Sequence, residues 1–287
     1  MVLAVLPAPL YQRQFLSGEN AIVPPVGFFY LLKMNYIARF QVLVLALGLA
    51  CAAKSAPAQT TNAAPVVVAA ENTATNPVPR DANWLKRHEG FVKIAQAGGV
   101  DLLFLGDSIT DYWRNRGSNV WLDSYGARHA ANFGISADRT QHVLWRIDHG
   151  ELDGIKPKVV VLMIGTNNTG KEKDGSPRNS VPEAIAGVQA VVADIRAKLP
   201  DTKILLLAIF PRSTLDDPQR AQVALINTVI AKLDDGKMVR FLDIGSKFLT
   251  TDGTLPKTIM PDLLHPNARG YQIWADAIEP TLADMLN

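Results

Sequence analysis

The chain has 287 residues, with 29 Lys and Arg against 27 Asp and Glu, a net charge of +2, and 48% hydrophobic residues. This composition excludes the disordered and collagen-like classes and provides enough apolar residues for one large domain or two small ones. The near-neutral charge includes no basic block, so we expect no nucleic-acid partner. A single cysteine cannot form an internal disulfide, and no Cys/His spacing resembles a structural zinc site, so we expect no metal.

Residues 34–58 have the order of a secretory signal peptide. Arg39 supplies a short basic region, residues 42–53 are apolar, and Ala-Pro-Ala at 56–58 is a small-residue cleavage site. We therefore predict cleavage after Ala58 and a secreted or periplasmic protein. The apolar run is shorter than the roughly 20 residues that span a membrane, so we expect no stable membrane insertion after cleavage. An uncleaved signal anchor and lipid attachment at Cys51 stay open as alternatives.

The segments on either side of this peptide carry no pattern of a packed element. Residues 1–33 lack the basic-then-apolar order and are interrupted by prolines, so we predict that translation starts at Met34 and that residues 1–33 are an over-extended start. Residues 59–80 are rich in Ala, Thr, Asn, Pro and Val without a period, which predicts a flexible linker. A folded domain is therefore predicted over residues 81–287.

Helical and strand patterns alternate along this domain. Asp81 is a candidate N-cap, and Trp84, His88, Phe91 and Ile94 follow it at helical spacing. We predict helices over residues 82–97, 140–148, 182–199, 218–233 and 268–286, and strands over residues 100–105, 130–133, 159–164, 204–209 and 241–244. Strands that alternate with helices require crossover connections. The predicted fold is α/β, a flavodoxin-like three-layer sandwich with a five-stranded parallel sheet of order 2-1-3-4-5.

Small and polar residues follow the predicted strands, at the edge where an open parallel sheet binds its ligand. Ser108 follows the first strand in the sequence Gly-Asp-Ser, Gly134 follows the second, and Asn167 follows the third. Asp262 and His265 come after the fifth strand and before the last helix. Each motif alone is typical of a turn, because Asp and Ser side chains bond to their own backbone. Their joint occurrence is what indicates a site.

Together these residues supply the parts that acyl transfer requires. Ser108 is the predicted nucleophile, His265 is the base that takes its proton, and Asp262 orients His265. The backbone N–H groups of Ser108 and Gly134 and the side-chain amide of Asn167 are the predicted donors to the oxyanion.

Neighbouring residues have more ordinary interpretations. Tyr112 and Trp113 follow the predicted nucleophile, and we expect them to border the pocket. Arg178 is expected in a solvated loop with two lysines. The four histidines other than His265 have no such partners in the sequence, and we expect them at the surface or in packing contacts.

Four blocks of the chain match the SGNH (GDSL-type) hydrolase superfamily: FLGDSIT, ANFGIS, IGTNN and DLLH. The resemblance covers residues 82–286, which identifies residues 81–287 as an SGNH hydrolase domain. The sequences HVLWRIDHGELDGIKPKVVVLMIGTNN and FPRS also resemble bacterial esterases that are similar to the platelet-activating-factor acetylhydrolase catalytic subunits. The resemblance implies a flavodoxin-like fold, a Ser–His–Asp acyl-enzyme mechanism without metal or cofactor, short acyl groups such as acetate, and a homodimer by family analogy.

These features predict a secreted serine esterase that removes acetyl or other short acyl groups from an alcohol, with a carbohydrate as the favoured small-molecule substrate. The same machinery also suits a phospholipid acetylhydrolase, a lysophospholipase or a thioesterase. A binding module that has lost catalysis is a third alternative, which the presence of all five chemical parts disfavours. The relatives named above are cytosolic, whereas this chain carries an export pattern, and residues 250–261 add a proline directly before Asp262.

Overall fold

A computed structural model describes residues 71–287, in which helices and strands alternate. The strands are β1 (Leu102–Gly106), β2 (Ala130–Gly134), β3 (Val159–Met163), β4 (Lys203–Leu207) and β5 (Val239–Leu242). The α-helices are α1 (Ala82–Ala97), α2 (Ser108–Asp111), α3 (Ser118–Tyr125), α4 (Thr140–Asp148), α5 (Val181–Lys198), α6 (Pro218–Ile230) and α7 (Ala268–Leu286).

The five strands form one parallel sheet in the order β2-β1-β3-β4-β5, which confirms the predicted fold class and strand order. Gly106 at the end of β1 pairs with Gly134 at the end of β2 and with Met163 at the end of β3. The carboxyl ends of these three strands therefore lie side by side. Every residue of β1 and β3 is buried, because helices cover both faces of the sheet.

Successive side chains of each strand enter opposite layers of the core. Leu103 and Leu105 of β1 pack in the layer that includes α1, α4, α5 and α6. Leu102 and Phe104 pack in the layer that includes α3 and α7, where they meet the fully buried Trp274. The sheet is thus the middle of three layers, as expected from the alternating sequence pattern.

Most predicted element bounds agree with the structure to within two residues. Helices α1, α4 and α7 have the predicted bounds, and α6 ends earlier because its last predicted turn is a 3₁₀ turn over Ala231–Leu233. The short helices α2 and α3 were not predicted. On α1 the buried face contains Ala95 rather than the predicted Ile94, whose side chain is 44% exposed.

Part of the predicted linker is instead packed on the domain. Asn72 caps a 3₁₀ turn over Thr73–Thr75, and Ala74 at its centre is fully buried. The Thr140 hydroxyl donates to the Ala74 carbonyl at 2.7 Å, and the Asn179 amide donates to the Thr73 hydroxyl at 2.9 Å. The flexible linker predicted over residues 59–80 is therefore wrong for residues 72–76, whose polar side chains and backbone bond to the helical layer.

The predictions for residues 1–33, 34–58 and 59–70 lie outside the described residues. Within residues 71–287, no helix has both the length and the apolar character needed to cross a membrane.

A buried arginine joins the carboxyl ends of β1 and β2. Arg146 on α4 is fully buried; its guanidinium donates to the carbonyl of Phe133 at 3.0 Å and to that of Gly106 at 3.4 Å. Its Nε lies 3.0 Å from Asp138 Oδ2, and its Nη1 forms an ion pair with Glu151. Asp138 and Glu151 are also fully buried, so the Arg146 cation lies between two carboxyl groups that water does not reach. Burial raises the pKa of Glu151 to about 7, and Asp138 also pairs with Arg80.

Replacing Arg146 with methionine should lower the free energy of unfolding by about 3–5 kcal/mol, because the buried Glu151 loses its cationic partner and the buried Asp138 keeps only Arg80. The control is Arg128→Met. Arg128 forms a bidentate ion pair with Glu279, but both side chains are about a third exposed. Such a pair stabilises by about 1 kcal/mol or less. Urea denaturation followed by circular dichroism measures both values, and equal losses in the two variants would contradict the role given to burial.

Candidate active site

The predicted site residues lie at the carboxyl edge of the sheet. Ser108 is the first residue of α2, directly after β1, and Gly134 is the last residue of β2. Asn167 lies in a 3₁₀ turn over Thr166–Thr169 that follows β3, and Asp262 and His265 lie in the loop before α7. Since parallel strands end at one edge, their exit loops converge there.

Ser108, His265 and Asp262 form a continuous hydrogen-bonded chain. His265 Nε2 is 2.9 Å from Ser108 Oγ, across 157 positions of sequence, and His265 Nδ1 is 2.7 Å from Asp262 Oδ2. The tautomer protonated at Nδ1 satisfies both contacts, since Nδ1–H donates to the carboxylate and Nε2 accepts the serine proton. This is the geometry that a hydroxyl nucleophile and its base require.

The loop before α7 is closed by the carboxylate of Asp262. Its Oδ1 accepts the backbone N–H of His265 at 2.7 Å and that of Leu264 at 3.1 Å, and Leu263, which follows Asp262 directly, has a φ of 57°. Partial burial alone would raise the pKa of Asp262, but the hydrogen bonds from the His265 backbone and ring lower it below its usual value. The carboxylate is therefore held in its charged form, facing the imidazole.

The turn that presents Ser108 depends on Gly106. A Cβ atom at Gly106 would lie 2.4 Å from the Met163 carbonyl oxygen and 2.4 Å from Thr110 Oγ1, so no side chain fits there. Asp107 caps α2 by accepting the N–H of Ile109 at 3.0 Å. Ser108 is 5% exposed, and its backbone N–H lies in the first turn of this short helix.

The two other predicted oxyanion donors already have partners. The Gly134 N–H donates to Asn132 Oδ1 at 2.9 Å, and the Asn167 side-chain amide donates to the Asp138 carbonyl at 2.9 Å. The Asn167 amide has a second hydrogen for a ligand, whereas Gly134 would share its single hydrogen. A Cβ at Gly134 would lie 2.3 Å from the Asp111 backbone nitrogen, so the strand end packs directly against α2.

Two residues beside the imidazole were only partly anticipated. The ring of Tyr112 lies 4.9 Å from the ring of His265, as expected for a residue that borders the site. Arg116 lies over Tyr112 at 4.7 Å, with its Nη1 3.7 Å from Asp262 Oδ2. Trp113, in contrast, is fully buried in the core and does not border the pocket as predicted. The position of Tyr112, one helical turn after Ser108, was the only signal in the sequence.

Two arginines hold the turn that carries Asn167. Arg178 donates to the Asn167 carbonyl at 3.0 Å, and Arg212 donates to the Thr166 carbonyl at 3.1 Å. Arg178 was predicted in a solvated loop, but its guanidinium packs on Gly170 and is partly buried. Among residues 71–287, no cluster of three or more His, Cys, Asp or Glu side chains is arranged to hold a metal ion.

The carboxyl group of Asp107, next to Ser108, is buried with only one of its oxygens hydrogen-bonded. Asp107 is 1% exposed, and its Oδ2 has no hydrogen-bond partner among the described residues. Burial, together with the nearby Asp138 and Asp111, raises the pKa of Asp107 to about 7. The bond from Ile109 and the charge of Arg212 act in the opposite direction. Near neutral pH this carboxyl group is therefore partly protonated.

Known proteins are similar to this chain in sequence. The model of the GDSL-like lipase/acylhydrolase family matches residues 104–273. Platelet-activating factor acetylhydrolase IB subunit alpha2 of Rattus norvegicus is 35% identical over 199 residues, which cover 69% of this chain and 82% of the relative. Subunit alpha1 of the Homo sapiens protein is 32% identical over 222 residues, which cover 75% of this chain and 92% of the relative.

Solved structures share the fold. A structure from Streptococcus pneumonia, described as a platelet activating factor, is 25% identical with a TM-score of 0.55 and covers 70% of this chain and 95% of its own. An acetylxylan esterase from Geobacillus stearothermophilus is 21% identical with a TM-score of 0.51, covers 66% of this chain and 95% of its own, and supports the fold alone.

Fold, site and relatives together define a carboxylic ester hydrolase. Within that class, the chain belongs to the GDSL-like lipase/acylhydrolase family.

The Asp107→Asn variant should change how stability depends on pH. In the folded protein burial raises the pKa of Asp107 to about 7, above the usual value of 3.8 for an aspartate. The protonated group therefore stabilises the fold fully below about pH 4, and this contribution is lost as the pH rises to 7. Three pKa units correspond to about 4 kcal/mol, so at pH 8 the asparagine variant should be more stable by up to that order. Urea denaturation at pH 4.5 and pH 8 measures this, and parallel pH profiles for variant and wild type would contradict it.

Proposed function

We propose that this protein is a serine esterase that removes acetyl or other short acyl groups from an alcohol through an acyl-enzyme. The observation that supports this best is the bridging position of His265. One ring nitrogen lies 2.9 Å from the Ser108 hydroxyl, and the other lies 2.7 Å from the Asp262 carboxylate. A serine hydroxyl is a weak nucleophile unless a base removes its proton, and this arrangement provides that base.

In the proposed mechanism, Ser108 Oγ attacks the ester carbonyl carbon while its proton moves to His265 Nε2. Asp262 holds the imidazole and stabilises the imidazolium that forms. The negative oxygen of the tetrahedral intermediate accepts hydrogen bonds from the Ser108 N–H, the Gly134 N–H and the second amide hydrogen of Asn167. The alcohol leaves with the proton from His265, and the acyl group remains on Ser108. Water, deprotonated by His265, then releases the acid.

We propose an acetylated carbohydrate as the substrate. Names of relatives and structural neighbours include acetylhydrolases and acetylxylan esterases, which favours a short acyl group. The predicted signal peptide favours a substrate outside the cytoplasm, where acetylated polysaccharides occur. The alternatives of an acetylated phospholipid, a lysophospholipid or a thioester keep the same chemistry and differ only in what surrounds the reacting ester.

Hydrolysis of para-nitrophenyl esters of increasing chain length tests the mechanism. The wild type should prefer acetate, and Ser108→Ala and His265→Ala should each lower kcat by about four to six orders of magnitude, leaving a residual rate. Asp262→Asn should lower it by about three to four orders, because the imidazole tautomer is no longer held. The control Ser246→Ala removes an exposed hydroxyl and should have no effect.

Two outcomes would contradict the proposal. Equal inactivity of the wild type and Ser108→Ala would support a binding module instead. Acetate release from acetylated phospholipid but not from acetylated xylan would assign the substrate to the lipid class.

The export proposal concerns residues 34–58. If cleavage follows Ala58, the mature chain has 229 residues with 25 basic and 26 acidic side chains, and it has lost Cys51, the only cysteine. N-terminal sequencing of the native protein from the periplasm or the medium should then begin at Gln59. Recovery of a peptide from residues 1–33 would contradict both the predicted start at Met34 and the signal peptide.

A further inference from the structure

A groove between α1 and α3 crosses the outer edge of β2. It encloses about 650 Å³, and none of Ser108, Asp262 and His265 lines it. Its floor is formed by small residues of β2, and its walls include Phe91 and Trp121. Two large apolar residues at its rims are exposed to solvent: Ile94 is 44% exposed and Leu122 is 67% exposed. Clustered apolar exposure of this kind is typical of a binding surface.

The charged residues that line the groove are all basic. Lys86, Arg87 and Arg114 line it together with the apolar residues, and no acidic side chain does. Arg87 and Arg114 share one carboxylate, since Asp111 Oδ1 is 2.7 Å from Arg87 and 3.5 Å from Arg114. Lys86 has no ion pair with a described residue. Burial, and after it the neighbouring Arg87, lower the pKa of Arg114 to about 10, while Asp111 acts in the opposite direction.

The edge of β2 is closed to a pairing strand. Arg87 donates to the Gly134 carbonyl at 3.0 Å, and Arg114 donates to the Asn132 carbonyl. The Gly134 N–H is bonded to the Asn132 side chain. An extended peptide could not bond to these groups without displacing both arginines, so the groove does not fit a peptide that adds a strand.

We propose that this groove binds a single-chain anionic amphiphile, with its hydrocarbon chain along Phe91, Trp121 and Leu122 and its acidic head group beside Lys86, Arg87 and Arg114. The chain covers apolar surface that otherwise faces water, and the head group pairs with cations that outnumber their carboxylate. A long-chain carboxylate has both features. The binding site is separate from Ser108 and does not depend on the proposed ester chemistry.

Binding of dodecanoate below its critical micelle concentration, measured by calorimetry on the full chain, tests the proposal. The wild type should bind it, and Leu122→Glu should weaken binding at least tenfold, because a carboxylate then lies where the chain packs. Lys86→Glu should weaken it severalfold. The matched control is Leu225→Glu, which changes a leucine that is 58% exposed on α6, outside the groove.

Two further ligands separate the contribution of the hydrocarbon chain from that of the negative charge. Dodecyltrimethylammonium, which has the chain but the opposite charge, and octanoate, which has the charge but a shorter chain, should each bind at least tenfold more weakly. Tryptophan fluorescence should change on binding of dodecanoate, and Trp121→Phe should reduce that change because Trp121 lines the groove.

The proposal is overturned if dodecanoate does not bind, or if Leu122→Glu and Leu225→Glu have equal effects. It is also overturned if the wild type sediments as a dimer that Leu122→Glu dissociates, since the groove is then an interface between two copies. Binding only to vesicles of anionic lipid, without binding of free dodecanoate, would assign the surface to a membrane instead. Circular dichroism of each variant verifies folding, and Lys86→Glu changes an exposed side chain should Leu122→Glu fail to fold.

Discussion

The carboxyl edge of this sheet depends on the buried contact between Arg146 and Asp138. The Asp138 carboxylate also accepts the Trp84 indole N–H at 2.7 Å and a bond from Arg80 at 3.1 Å, so three side chains hold this fully buried group. The Asp138 carbonyl accepts the amide of Asn167. Burying these charges carries a desolvation cost of several kcal/mol per ion, which good geometry offsets. What the contact provides is a fixed position for the exit loops of three strands.

The two sides of the site are built differently. Ser108 and the glycines at the ends of β1 and β2 are buried, and at both glycines a Cβ would meet backbone atoms of neighbouring segments at under 2.5 Å. The imidazole side is more open, with 44% of the Asp262 side chain exposed and 15% of the His265 side chain exposed. That side is held by local bonds within four residues and by the contact with Tyr112. Packing therefore fixes the serine, whereas the histidine loop closes on itself.

The sequence was sufficient for the sheet order and the bounds of α1, α4 and α7, because caps and apolar periods are local signals. It could not reveal α2, whose four residues are too few for a period, or the packing of residues 72–76, which depends on Thr140 and Asn179 far along the chain. In the site, topology and motif spacing together led to Ser108, Asp262 and His265. The contacts of Asn132, Arg178 and Arg212 had no sequence signal, since each depends on side-chain geometry between separate loops.

The polar backbone groups at the end of β2 must meet two requirements that are usually separate. An edge strand must have its outward polar groups covered, and here Arg87 and Arg114 cover two carbonyls while Asn132 covers the Gly134 N–H. In the proposed mechanism that same N–H must be offered to the substrate. A side-chain amide is a suitable cover, because its oxygen can share the hydrogen with a more negative acceptor, while its nitrogen stays anchored to the Thr110 carbonyl at 2.8 Å. In the proposed mechanism, Asn132 thus covers the edge without blocking the Gly134 N–H.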